Sequence, residues 1–169
     1  MYSIYDINVY IINYAFETNR SVTNLKLQKV LYFLYGFYYA ITKKELFDEN
    51  FEAWAYGPVV RKSYINYSMY GAEIIPPHNN YLDLLFDKNS KYSSESNVEY
   101  FNTIFEEKSK KTIDDILDLM LNISTMKLVD LSHDKGGPWY KSYEKGNKKA
   151  INKCLILNYF GSMSERTIE

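Results

Sequence analysis

Residues 23–41, TNLKLQKVLYFLYGFYYAI, open on a threonine and run into apolar residues at helical spacing. Thr23 is placed to cap the N-terminus of a helix, its hydroxyl free to take an early backbone N–H. Leu27, Val30, Leu31, Leu34, Tyr38 and Ile41 fall on one stripe, which Phe33 and Phe37 widen to more than half the circumference. A helix apolar over that much of its surface has neighbours on several sides, so it is expected at the centre of the fold. Gln28 and Lys29 are polar residues inside its first two turns, and they are expected to emerge from an otherwise apolar face.

On the N-terminal side, Ser3 with Asp6 three residues on has the form of a capping box. Ile4, Ile7, Ile11, Tyr14 and Ala15 then predict a helix to about Glu17. On the C-terminal side, Leu46-Phe47 and Phe51 to Ala55 read as short extended pieces around an Asp48-Glu49-Asn50 turn. Tyr56-Gly57-Pro58 interrupts the chain, and Pro58 suits the first turn of a further helix, Val59 to about Tyr70, ended by Gly71. Residues 72–111 are harder to read. Pro76-Pro77 bars regular structure, and Asn89 to Asn97 is a polar loop. Tyr81 to Phe86 and Val98 to Glu107 are each expected to be short helices. Thr112 is expected to cap a helix through Asn122, and Ser124 or Thr125 one through Leu131. Asp134 to Pro138 forms a tight loop before Trp139, and Asn147 caps a last helix through Phe160, ended by Gly161. The fold class that follows is mainly α, a compact helical single domain over 1–169. It carries a short two-stranded β element around residues 46–55 and a variable insert at about 72–111.

Composition narrows the chemistry. The 20.0 kDa chain is 46% hydrophobic and 24% charged, as ordinary folded domains are. One cysteine and two histidines leave no basis for a disulfide, a cysteine-cluster zinc site or a dedicated transition-metal site. No cofactor is expected. The net charge of −1 conceals an acidic stretch, residues 72–134, with twelve acids against six bases. Residues 135–169 reverse this with seven bases against three acids. The opening Met1 to Asp6 has no basic stretch ahead of an apolar run, and no segment of about 18 residues is both apolar and uncharged. Neither a signal peptide nor a membrane span is expected, and the cytoplasm is the expected address. The 18 tyrosines beside 17 lysines and three arginines fit an AT-rich coding bias, yet tyrosine also suits contact surfaces.

No catalytic set emerges from spacing. Ser132, His133 and Asp134 are consecutive, so their side chains diverge where acyl transfer needs them to converge. A lone histidine at a helix end is expected to cap carbonyls or close a local hydrogen-bond network. Lys135-Gly136-Gly137 lacks the preceding strand and the full spacing of a phosphate loop. Glu106-Glu107 and Asp114-Asp115 are expected to form a solvated face. Lys148, Lys149 and Lys153, with Lys141 and Lys145 near, offer a phosphate contact but no arginines and no recognition helix, which argues against nucleic acid. Cys154, on an apolar stripe, is expected to be a buried structural thiol. These residues describe a helical domain without an evident active site.

Three blocks in order carry a resemblance: Thr23 to Phe33; Leu46 to Glu49 with Glu52-Ala53-Trp54-Ala55-Tyr56-Gly57-Pro58-Val59-Val60; and Leu131 to Trp139. Together they resemble the Panacea, or SocA-like, antitoxin domain family, also called phage-associated GepA-like proteins, over residues 4–160. Val30 departs from the usual leucine. The resemblance implies a non-enzymatic protein that neutralises a protein toxin by direct binding, or delivers it to an ATP-dependent protease as an adaptor. The alternative is a phage-encoded inhibitor of a host defence complex, such as an anti-CRISPR, on the same scaffold. The residues carried over are Leu27, Gln28, Lys29, Tyr32, Glu52, Trp54, Tyr56, Gly57, Pro58, Ser132, His133, Gly137, Pro138 and Trp139. They either contact the partner or only maintain the scaffold, with Trp54, Tyr56 and Trp139 burying their rings. In the second case specificity lies in the acidic stretch, at Asp114, Asp115 and Asp118, and on exposed tyrosines such as Tyr64, Tyr67 and Tyr70. A negative segment would steer a basic partner.

Overall fold

The computed structural model describes residues 1–78 and 97–166, and the expected helix at 81–86 lies outside them. Helix α1 spans Ile4–Glu17 and α2 spans Asn24–Thr42. Ser3 and Thr23 cap them through hydroxyls that accept from Tyr5 N and Lys26 N. A hairpin follows, β1 (Glu52–Trp54) and β2 (Gly57–Val59), antiparallel with Ala53 opposite Pro58. Then come α3 (Arg61–Asn66), one 3-10 turn (Ser68–Tyr70), α4 (Asn97–Ile104) and α5 (Glu107–Leu121). The chain continues through α6 (Thr125–Ser132), α7 (Pro138–Ser142) and α8 (Lys153–Arg166). No helix among the described residues is long and apolar enough to cross a membrane.

Helix α2 is the axis. It packs against α1, α3, α5, α6, α8 and β2, because its stripe is too wide for one neighbour to cover. Leu27, Leu31, Leu34 and Tyr35 are fully excluded from solvent, within one buried cluster shared with α1, α5, α6 and α8. Buried tyrosines keep their hydroxyls satisfied: Tyr35 donates to Glu45 Oε2 at 2.9 Å and Tyr38 shares a hydrogen bond with Ser109. Where α2 meets α8, Gly36 lets the Phe160 ring lie against the backbone. The described end of the expected insert joins the core too, with Phe101 and Phe105 packed on Tyr10.

Several boundaries differ from the sequence reading. The two-stranded element is real but is made by residues 52–59, with Ala55-Tyr56 as its turn; Leu46-Phe47 is buried coil. Gly57-Pro58-Val59 is therefore the returning strand and α3 begins at Arg61. Helix α5 starts before Thr112, whose hydroxyl bonds back to the Lys108 carbonyl inside the helix. Lys110–Asp114 and Lys111–Asp115 pairs one turn apart extend it in that direction. Asn147 is no cap: it closes a tight turn with Glu144, Gly146 having φ +80°. Residues 149–151 then line up along β1, Lys149 O accepting from Ala53 N and Ile151 N donating to Phe51 O. Asn152 accepts from Cys154 N instead, and Gly161 lies within α8. Cys154 is exposed, not buried.

Candidate functional site

The three sequence blocks meet at the outer edge of β2. Ala53 N–H turns away from β2 toward Lys149, so Pro58, opposite it, turns its carbonyl outward as well. Lys29 donates from Nζ to that carbonyl at 2.6 Å, and Gln28 Oε1 accepts from Val60 N at 3.1 Å. Proline adds no N–H of its own. Two side chains of α2 thus close an edge that would otherwise offer unpaired backbone. The Gln28 amide nitrogen donates to Asn24 Oδ1 and Ser63 Oγ, and Ser63 Oγ donates to Asn8 Oδ1. Gln28 and Lys29, expected to emerge, are both fully buried, because the groups they serve are buried.

Among the described residues no carboxylate pairs with Lys29, and burial pushes its pKa down to about 7. Gly57 makes room for it: a side chain there would sit 2.7 Å from Lys29 Nζ and 2.5 Å from Ser132 Oγ. Ser132 spends its hydroxyl on the Val129 carbonyl at 2.7 Å. His133 caps no carbonyl with its ring; its backbone N–H does so, while the ring stacks on Trp139 with centroids 3.7 Å apart. Its Nε2 is buried without a partner among the described residues. Burial first, and the Lys29 charge second, hold the imidazole below its usual pKa. Gly137 caps α7 with Pro138 as its first residue, and this places Trp139 so that its Nε1 donates to the Trp54 carbonyl at 2.8 Å. Leu27 and Tyr32 stand apart in the core, Tyr32 edge-on to Phe51 and Phe160.

Around this frame lies an aromatic groove of about 380 Å³, lined by Leu25, Trp54, Tyr56, Val59, Tyr64 and Lys148 among others. Trp54 is held from several sides. Its Nε1 donates to Glu52 Oε2, Glu52 takes two hydrogen bonds from Arg61, and Tyr64 packs 4.8 Å from its ring. Burial opposes the Glu52 charge, but the bonds from Arg61 and Trp54 keep its carboxyl below the usual range. Lys148 sets its ammonium 3.7 Å from the Trp54 ring centroid. Tyr56, expected to bury its ring, is 64% exposed.

Other sequence candidates disperse. Tyr67 is buried against His78 and presents no surface, and Tyr70 is half-buried. Asp114, Asp115 and Asp118 on α5 are paired with Lys110, Lys111 and Arg20, so this face is dipolar more than negative. The lysine cluster separates: Lys149 pairs with Glu144, and Lys153 with Glu45 and Asp48. Among the described residues no three His, Cys, Asp or Glu side chains converge to hold a metal ion. Asn8, Asn24 and Ser63 escaped the sequence reading, although Asn24 and Gln28, four apart on an apolar helix, are the pattern of a buried polar pair. Nothing in the spacing marks Lys148 as a neighbour of Trp54.

Fold and frame define a mainly helical domain in which one central helix locks a hairpin through buried polar side chains. Residues 27–140 match the model of the antitoxin SocA-like, Panacea domain family, and the chain belongs to that family. It is 30% identical over 118 residues to Antitoxin SocA of Caulobacter vibrioides. The alignment covers 70% of this chain and 58% of that protein, so the chain spans somewhat over half the length of the relative. No solved structure matches it.

Proposed function

We propose that this chain is an antitoxin that neutralises a protein toxin by direct contact. Membership of the SocA-like family supports an antitoxin role, and one structural observation supports contact as the means. Four polar side chains of the motifs are engaged inside the molecule: Gln28 and Lys29 on β2, Ser132 on its own helix, Trp139 on Trp54. What the frame leaves at the surface is shape and aromatic area, which suit recognition.

The test is co-expression with the candidate toxin from the adjacent gene. Restored growth, with the two proteins co-eluting in size-exclusion chromatography, is the expected result. Growth restored only while the toxin disappears in a protease-dependent manner would instead identify an adaptor. Failure to restore growth, with no complex formed, would overturn the antitoxin reading.

A further inference from the structure

The groove beside the hairpin restricts what it can hold. Its lining is mostly apolar, Leu25 and Val59 standing with the rings of Trp54, Tyr56 and Tyr64 beside the amides of Asn24 and Gln28. Among the described residues that line it, the one formal charge is positive, the ammonium of Lys148. Lys148 rests on the Trp54 face; its charge is felt by the nearby Glu52 carboxylate, but the hydrogen bonds of Glu52 go to Arg61 and the Trp54 indole. The cation is thus presented over the groove with donors to spare. Strand addition is closed off, since β1 lies between β2 and residues 149–151 while Gln28 and Lys29 cover the outer edge of β2. An occupant must be held by its side chains.

We infer that the groove between Trp54, Tyr56, Tyr64 and Lys148 receives a segment of a protein partner that inserts an apolar or aromatic side chain and sets an adjacent carboxylate on Lys148. Charge complementarity selects the carboxylate, and the ring-lined walls select the apolar side chain. Trp54, held by Glu52 and Tyr64, is ordered before binding, so little entropy is lost on contact. A nucleic-acid strand is less suited, because it asks for a row of cations, whereas Lys149 and Lys153 are already paired. The inference gives the chemistry of the contact proposed above and rests on that reading for its biological meaning.

The experiment pans a random dodecapeptide phage library on the full-length protein and measures enriched peptides by fluorescence polarisation. The expected peptides place Asp or Glu beside a large apolar residue. Lys148→Glu and Tyr56→Ala, both at exposed positions with unchanged melting temperature, weaken them about tenfold or more. Exchanging the peptide carboxylate for lysine restores binding to Lys148→Glu. No enrichment, peptides without acids, or equal binding to Lys148→Glu would overturn the inference. So would a groove that instead binds oligouridine or a second copy of the chain, lost in Tyr56→Ala. Because the library contains no toxin, these outcomes are independent of the co-expression result: neutralisation without acidic peptides removes only the inference, and acidic peptides without neutralisation remove only the antitoxin reading.

Discussion

Lys29 is a fully buried amine whose hydrogen bond among the described residues is to a neutral carbonyl, and its pKa of about 7 makes folding sensitive to pH. Between that value and 10.5 the unfolded chain holds a proton that the folded chain has released. Stability therefore rises with pH across this window, by up to about 1.4 kcal/mol per unit. Tyr10, Tyr32 and Tyr35 act in the opposite sense, since burial raises their pKa above the ordinary 10.0, and they erode stability above that pH. Urea denaturation at pH 7, 8 and 9 should show a rising free energy of unfolding, and Lys29→Met should flatten it. A wild-type slope of zero would mean that Lys29 keeps its proton. Gly57 is the second sensitive residue. Its φ of +97° and the closeness of Ser132 and Lys29 leave no room for a methyl group. Gly57→Ala should cost about 2–4 kcal/mol in the same assay. The Gly57-Pro58 pair was visible in the sequence as a break, but the burial of Lys29 was not, because residue type alone places lysine at the surface.

Among elements, α2 was the most legible, since its stripe is long and its Thr23 cap agrees with its periodicity. The hairpin was half-legible: extended residues were expected, but the strands begin and end later than the sequence suggested. Asn147 was misread because a turn residue and a helix cap share the same chemistry, and only the pairing of residues 149–151 with β1 distinguishes them. The contact between α2 and α8 depends on Gly36, where an added methyl would overlap the Phe160 ring. Gly36→Ala should lower stability by about 1–3 kcal/mol despite the better helix propensity of alanine. A thermal melt that rises instead would show that α8 can shift without loss.

For the whole molecule, charge on paper and charge in space diverge. Residues 72–134 are acidic in sequence, yet Asp114, Asp115 and Asp118 each face a base. Paired charges cast little field beyond a Debye length. Asp115→Asn with Asp118→Asn should therefore change the association rate with a protein partner by less than about threefold between low and physiological salt, measured by stopped flow. A larger, salt-dependent loss would reinstate steering by this helix. Helical class, the central position of α2 and most caps followed from residues within a few turns of one another, where periodicity and local hydrogen bonding suffice. The seal on β2, the stacking of His133 on Trp139 and the seat of Lys148 on Trp54 arose only when remote segments met. Burial and pairing are properties of the surfaces that come together, and the chain order does not contain them.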